Sequence, residues 1–391
     1  MIAVIADDFT GAAEIGGIGL RYGLRVLIET NIDEDIPECD LLVIAADTRS
    51  LNPNAAALEI ENITRKLLDR KPSFVFKKLD SVLRGHIAKE LEAQMKMMQK
   101  KRAVIIAGNP YFNRLIKNGR YTIEGIPLSK TFFANDPEFP VKSSHVLDII
   151  QNNRLALYNL NVDEVFPEQG LIVGDVCCEE DMLRWGEKID DETIAAGGSG
   201  FFNVLLEKKY KPKLNGTHKH IAMQQKSLFV FGSMYPKSEG LMQKMADSDI
   251  LPVNMPEKIF KSETNNLPLI ERWAREVTSA LDQGKRVVIT VNHTDQSGNG
   301  ISARVKENLG LLVRAIFKKT EIHDLFIEGG ATTAVILRNL NISTLYPFRE
   351  INLGIIQMKV DHFPELCITT KPGSYSWPDD VWIKKYKNTE N

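Results

Sequence analysis

A chain of 391 residues is too long for one ordinary domain and, at roughly 150 residues per domain, holds two or three. Its 43% hydrophobic and 26% charged residues are those of a globular protein, and 49 basic against 51 acidic side chains leave a formal charge of −2, which excludes a general attraction for nucleic acid or anionic lipid. Four cysteines without a C-x-x-C suggest neither a zinc site nor a disulfide framework, and no apolar run nears the ~20 residues of a membrane span; a cytoplasmic protein is expected, with no membrane and no nucleic-acid partner.

The first predicted strand, residues 1–6, ends in Asp7-Asp8-Phe9-Thr10-Gly11, where a helix over 11–22 begins. Open α/β sheets place ligands at such strand ends. Thr10 is a candidate N-cap, and the dipole of the helix favours an ionised carboxylate beside it. Such a carboxylate can take a proton from a bound alcohol, orient its hydroxyl or hold a metal; it can equally cap the helix and face water. Further strands are predicted at 24–29, 41–46, 73–77 and 102–107, with helices at 54–70 and 86–100. The alternation argues for βαβ units and a mainly parallel sheet. Residues 129–145 read as a loop, 170–175 as a strand and 178–188 as a helix, followed by the glycine cluster 197–200.

Lys208 to Thr217 is basic, polar and broken by Pro and Gly, the best linker in the chain. Beyond it the reading gives strands at 227–232, 286–291 and 324–328 and helices at 236–246, 265–283, 301–319 and 331–340. The expected architecture is two α/β domains with mainly parallel sheets, residues 1–210 and 220–391, joined near 215.

Three early strands end in ligand-sized polar groups: Asp7-Asp8, Asp47-Thr48-Arg49, and Lys77-Lys78-Leu79-Asp80-Ser81 with Arg84 behind it. Lys78 or Arg84 could pair with a ligand carboxylate while Asp80 and Ser81 receive hydroxyls; capping and solvation would account for each loop alone, but three loops of one sheet favour a shared pocket. Asn109-Pro110 and Arg114 offer a fourth wall. In the second half Gly329-Gly330-Ala331-Thr332 opens a helix and can cradle a phosphate, or be a tight turn with a Thr cap. There is no P-loop and no G-x-G-x-x-G after the first strand, and His218, His220 and His293 lack an H-E-x-x-H context.

The opening I-A-D-D-F-T-G-A, A-D-T-R at 46–49 and K-L-D-S-V-L-R-G at 78–85, in this order and spacing, resemble the four-carbon acid sugar kinases, enzymes acting on threonate, erythronate or 3-oxo-tetronate. The resemblance covers nearly the whole chain, with weaker matches at 109–114, 197–200, 232–233 and 329–332. It implies an N-terminal domain that binds the sugar acid, a C-terminal domain that binds ATP, and an active site in the interdomain cleft. Carried over by motif, Asp8, Arg49 and Lys78, Leu79, Asp80 and Ser81 are substrate contacts, and Ser233, Gly329, Gly330, Ala331, Thr332 and Gly373 are nucleotide contacts. The expectation is an ATP- and Mg²⁺-dependent kinase in which Arg49 and Lys78 fix the carboxylate and Asp8, or Asp7, accepts the hydroxyl proton. Where the family runs K-x-G-x-x-G, Lys371 to Ser376 lacks the second glycine, which motivates an alternative, a non-catalytic sugar-acid-binding or sensor protein. The specific acid is left undetermined, and a homo-oligomer is left open.

Overall fold

A computed structural model describes residues 1–32, 36–136, 139–151, 154–213, 226–232, 248, 250–262, 267–291, 300–373 and 375–382. The chain divides into two compact units, Met1–Asn215 and Gly216–Asn391, each a mixed α/β structure. Among the described residues no helix is long and apolar enough to cross a membrane.

The N-terminal unit runs β1 (Ile2–Ala6), α1 (Phe9–Arg21), β2 (Val26–Glu29), β3 (Leu41–Ala45), α2 (Pro53–Asp69), β4 (Phe74–Lys78), α3 (Ile87–Met98) and β5 (Arg102–Ile106). It continues with β6 (Arg114–Lys117), β7 (Arg120–Ile123), β8 (Ile126–Pro127), α4 (Val146–Ile150), β9 (Leu157–Leu160), β10 (Gly170–Gly174), α5 (Glu179–Glu187), β11 (Thr193–Gly197) and α6 (Ser199–Glu207). Its main sheet is wholly parallel, in the order β9-β10-β5-β11-β4-β1-β3-β2. A parallel sheet is covered on both faces; accordingly every residue of β1, β3, β10 and β11 is buried.

The order of connections positions the site. From β1 the chain passes through α1 toward the β2 edge, whereas from β3 it passes through α2 toward β4. Right-handed crossovers in opposite directions put α1 and α2 on opposite faces and open a crevice beyond the C-terminal ends of β1 and β3. On the two faces α1 packs with α6, and α2 with α3. The region 129–145, expected as a loop, contains 3₁₀ turns at Leu128–Lys130 and Phe132–Asn135. Before it, β6, β7 and β8 form a small antiparallel sheet that the sequence reading missed.

The C-terminal unit runs β12 (Ser227–Phe231), β13 (Ile250–Asn254), α7 (Glu257–Phe260), α8 (Leu267–Asp282), β14 (Arg286–Thr290), α9 (Ile301–Phe317), β15 (Asp324–Glu328), α10 (Gly330–Leu340), β16 (Thr344–Asn352), β17 (Ile355–Lys359) and β18 (Cys367–Lys371). Strands β13-β14-β12-β15-β18 are parallel, and β17 and β16 continue the sheet antiparallel. Phe229 and Phe326 stack at 4.5 Å between centroids in an aromatic core that includes Phe231, Trp377 and Trp382. The helix expected at 236–246 lies outside the described residues.

Candidate active site

The crevice of the N-terminal unit collects the strand ends that the sequence singled out. Strand β1 pairs with β3 and β4, with Ala6 beside Ala45 and Lys78, so Asp7-Asp8, Arg49 and Lys78–Ser81 leave three adjacent strands together. Arg49 is their centre. Its Nε and Nη2 lie 2.9 and 2.7 Å from Asp7 Oδ2, its Nη1 3.1 Å from Asp8 Oδ2, and its Nη2 3.4 Å from Asp80 Oδ1. Its Nε–H donates to Asp7 and its two terminal nitrogens lie within ion-pair distance of Asp7, Asp8 and Asp80, so the positive charge of Arg49 already serves three carboxylates.

Asp8, not Thr10, is the N-cap of α1: its Oδ1 accepts from the Gly11 N–H at 2.7 Å, and the Thr10 hydroxyl donates to its Oδ2 at 2.9 Å. Gly11 lets these side chains close in: a Cβ there would fall 2.8 Å from Asp8 Oδ1 and 3.2 Å from Lys78 Nζ, and would displace them. The two neighbouring acids are pushed apart. Burial raises the Asp7 pKa beyond what Arg49 lowers it, whereas at Asp8 burial is outweighed by Arg49, Lys78 and the Gly11 N–H, and the carboxyl sits below its usual range. Asp7 keeps one buried oxygen, Oδ1, without a hydrogen-bond partner among the described residues.

Lys77 and Lys78 face opposite sides of the sheet, as strand alternation requires. Lys78 Nζ donates to the Leu79 carbonyl at 2.9 Å and lies 3.7 Å from Glu14 Oε2 on α1, while Lys77 Nζ meets Glu90 of α3 at 2.6 Å. Lys77, although adjacent in sequence, is thus paired on the other face from Lys78. Leu79 does not offer its side chain either: it is fully buried in the core, and its N–H donates to the Gly197 carbonyl.

Asp80 accepts from the Val82 and Arg84 N–H groups at 3.1 and 3.2 Å and from Arg84 Nε and Nη2 at 2.9 and 2.7 Å. Burial opposes its charge, but Arg84 and Arg49 hold its carboxyl far below the ordinary range. Arg84 also donates to Asp136 Oδ2 at 2.7 Å and lies over the Phe133 ring. Asp80 and Arg84 thus brace the loop, and Asp136, which no sequence signal marked, completes the brace. Ser81 is held from the β6–β7 hairpin, its Oγ by Arg114 Nη1 and its carbonyl by the Tyr121 hydroxyl, each at 2.5 Å.

In the C-terminal unit α10 starts on Gly329 (φ +94) and Gly330, and Thr333 Oγ1 donates back to the Gly329 carbonyl at 2.9 Å. The N–H groups of Gly330, Ala331 and Thr332 belong to the first turn, which has no intrahelical acceptors for them. Gly232 closes against this turn: a Cβ there would fall 2.2 Å from Thr332 Oγ1. Lys371, buried at the end of β18, lies 3.2 Å from Glu328 Oε2, which also accepts from Trp377 Nε1 at 3.2 Å. Burial lowers the Lys371 pKa against the pull of Glu328. Its Nζ donates to the carbonyls of Pro372 and Tyr375, closing the turn that carries the exposed Gly373. Ser233 lies outside the described residues. Among the described residues no group of three or more His, Cys, Asp or Glu side chains is arranged to hold a metal ion.

These two units match known domains in the same order. Residues 2–205 match the family model of a sugar-binding N-terminal domain, and residues 228–375 that of a nucleotide-binding C-terminal domain. The fold and the crevice are those of a two-domain protein with a sugar-binding and a nucleotide-binding half. Similar curated proteins are a D-threonate kinase of Salmonella typhimurium, 23% identical over 84% of this chain and 83% of its own, and a D-erythronate kinase of Heliobacterium modesticaldum, 24% identical over 88% and 86%. A 3-oxo-tetronate kinase of Brucella melitensis is 28% identical over 51% of each chain. Solved structures from Salmonella typhimurium LT2 and Haemophilus influenzae share the fold, with TM-scores of 0.73 and 0.66 over 97% of this chain and 97% and 98% of theirs, each at 18% identity. The chain belongs to the four-carbon acid sugar kinase family.

Proposed function

We propose that this protein is an ATP-dependent kinase that phosphorylates a hydroxyl of a small sugar acid of four carbons, such as threonate, erythronate or 3-oxo-tetronate. The observation that carries the reading is the Arg49-centred cluster of Asp7, Asp8 and Asp80 at the crevice of a domain whose family binds sugars, in a chain whose relatives are kinases of four-carbon acids.

Phosphoryl transfer asks a protein mainly to position its reactants and stabilise charge. Asp8, the more accessible of the two adjacent acids, orients the attacking hydroxyl and takes its proton as the phosphorus–oxygen bond forms. Its low basicity is no obstacle, because in a loose transition state the proton leaves late. Asp7 and Asp80 keep Arg49 in place, and Lys78 and Ser81 face the substrate. The first-turn N–H groups of α10, which have no intrahelical acceptors, suit the phosphates of a nucleotide. Mg²⁺ bound to the nucleotide would neutralise phosphate charge.

The test is ADP release by the purified protein with ATP and Mg²⁺ against D- and L-threonate, D- and L-erythronate and 3-oxo-tetronates, with longer sugar acids as controls. Release that depends on one four-carbon acid supports the reading. No release with any acid, together with a thermal shift from an acid and none from ATP, would replace it with the binding-protein reading.

A further inference from the structure

The geometry points to Arg114 as the residue that receives the substrate carboxylate, with the Ser81 hydroxyl as its companion donor. This inference rests on the sugar-acid kinase reading and deepens it by assigning which end of the substrate lies where.

Four other cations around or behind the crevice already have partners. Around the crevice Arg49 is engaged by Asp7, Asp8 and Asp80, and Arg84 by Asp80 and Asp136. Lys77 is paired on the far face with Glu90, and Lys78 donates to a carbonyl with Glu14 nearby. Arg114 differs from these four. Its guanidinium donates to a neutral partner, Ser81 Oγ, and no carboxylate of the described residues lies within ion-pair distance of it. Most of its planar fork is available, and a half-buried guanidinium with unused donors is a receptor for a carboxylate, which it binds bidentately.

The backbone holds this receptor still. Asn113 takes a left-handed conformation (φ +49) just after the exit of β5, and Arg114 then exchanges two hydrogen bonds with Asn109, at 2.7 and 3.1 Å. On the neighbouring strand Tyr121 holds the Ser81 carbonyl. Ser81 is therefore gripped twice from one hairpin, and Arg114 is fixed relative to it. Because the Ser81 oxygen accepts from Arg114, its own proton remains to be donated. The pair presents N–H and O–H donors and no negative charge, the complement of a carboxylate.

The opposite wall has the opposite character. Asp8 can only accept when ionised, so it suits a hydroxyl. Strand β4, which leads to Ser81, is the immediate neighbour of β1, which leads to Asp8. The Asp8 and Ser81 loops therefore leave adjacent strands, and a short-chain acid bound there would place its carboxylate on the Arg114 side and its reacting hydroxyl on the Asp8 side. Arg49 then acts as the positioning residue of the acids.

The experiment compares the wild-type protein with Arg114→Gln, which keeps a donor for Ser81 but removes the charge and the fork, and with Arg114→Lys. KM and kcat are read separately for the active sugar acid and for its neutral amide. In Arg114→Gln, KM for the acid should rise on the order of 10²-fold, the scale of one lost charge-assisted contact, with kcat within a few-fold. The preference for acid over amide should collapse, and Arg114→Lys should regain part of it. A folded Arg114→Gln with unchanged KM and unchanged preference would overturn the inference and leave the kinase reading standing. If the wild-type protein turns over no acid, the kinase reading fails, and acid-induced thermal shifts decide the inference alone. A shift in the wild-type protein that Arg114→Gln loses supports it; equal shifts, or none in either, overturn it. Should Arg114→Gln not fold, the same comparison with Arg114→Lys reads the loss of the fork.

Discussion

The Nζ of Lys77 lies 2.6 Å from Oε2 of Glu90, and both side chains are buried between β4 and α3. Such a pair is retained only while both members are present, because removing one strands the other in a medium that cannot solvate it. Lys77→Met should therefore destabilise the protein by about 3–5 kcal/mol, and Lys77→Met/Glu90→Leu should regain most of that loss. Urea unfolding of the single and double variants measures both; a double variant as unstable as the single one would mean that the strand, not the unpaired charge, is at fault.

Asp8→Asn should keep ATP binding close to normal while depressing phosphoryl transfer by about two orders of magnitude or more, the range of a lost proton acceptor. The amide can still accept from Gly11 and cap α1, so the fold should survive. Nucleotide titration and single-turnover transfer separate the two effects. Near-normal turnover would remove Asp8 from the role and pass it to Asp7.

The two-domain α/β class and the gathering of Asp7, Asp8, Arg49, Lys78, Asp80 and Ser81 were legible because each residue follows a short apolar run, and parallel strands bring their C-terminal ends to one edge. What each side chain does there was less legible. Arg49 and Arg84 read as ligand-binding cations, but their partners Asp8, Asp80 and Asp136 come from separate loops, and no local spacing reveals such a pairing. The doublet Lys77-Lys78 read as one feature, although alternation along a strand always divides such a pair between faces. The hairpin bearing Arg114 escaped because its strands are very short and polar, and β11 because Gly197 at its end drew the reading toward a turn. Nothing local announced the antiparallel ladder of β16 to β18, whose strands follow one another without the helices that mark a βαβ unit.

Stability should depend on pH with opposite signs at Asp80 and Asp7. Arg84 and Arg49 lower the folded-state pKa of Asp80 below its unfolded value of about 3.9. Its contribution is therefore present above that value and lost as pH falls below it toward the folded pKa. Asp7 is raised by burial, so its ionisation costs stability as pH rises through the folded value. Asp80→Asn should lower stability at neutral pH and flatten its decline in acid, whereas Asp7→Asn loses the Arg49 pair but also removes an ionisation that burial opposes, so it should cost less than Asp80→Asn. Denaturant unfolding across acid to neutral pH gives both slopes. Parallel curves for wild type and Asp80→Asn would show that the Asp80 charge is not the stabilising element.

Gly232 packs directly on Thr332. The exit of β12 touches the first turn of α10 so closely that a Cβ at 232 would fall 2.2 Å from Thr332 Oγ1 and 2.8 Å from its Cγ2. Gly232→Ala must push the turn aside, and overpacking of this kind costs about 1–3 kcal/mol. If the Gly329 to Thr332 turn holds nucleotide phosphates, part of that cost appears as weaker ATP binding, with KM for ATP raised by roughly tenfold and KM for the sugar acid little changed. Removing Oγ1 and Cγ2 in Gly232→Ala/Thr332→Ala relieves the two shortest contacts and should restore part of the ATP affinity, although Thr332→Ala alone brings no gain. An effect of Gly232→Ala confined to the sugar acid, or absent from both substrates in a folded protein, would separate this turn from the nucleotide.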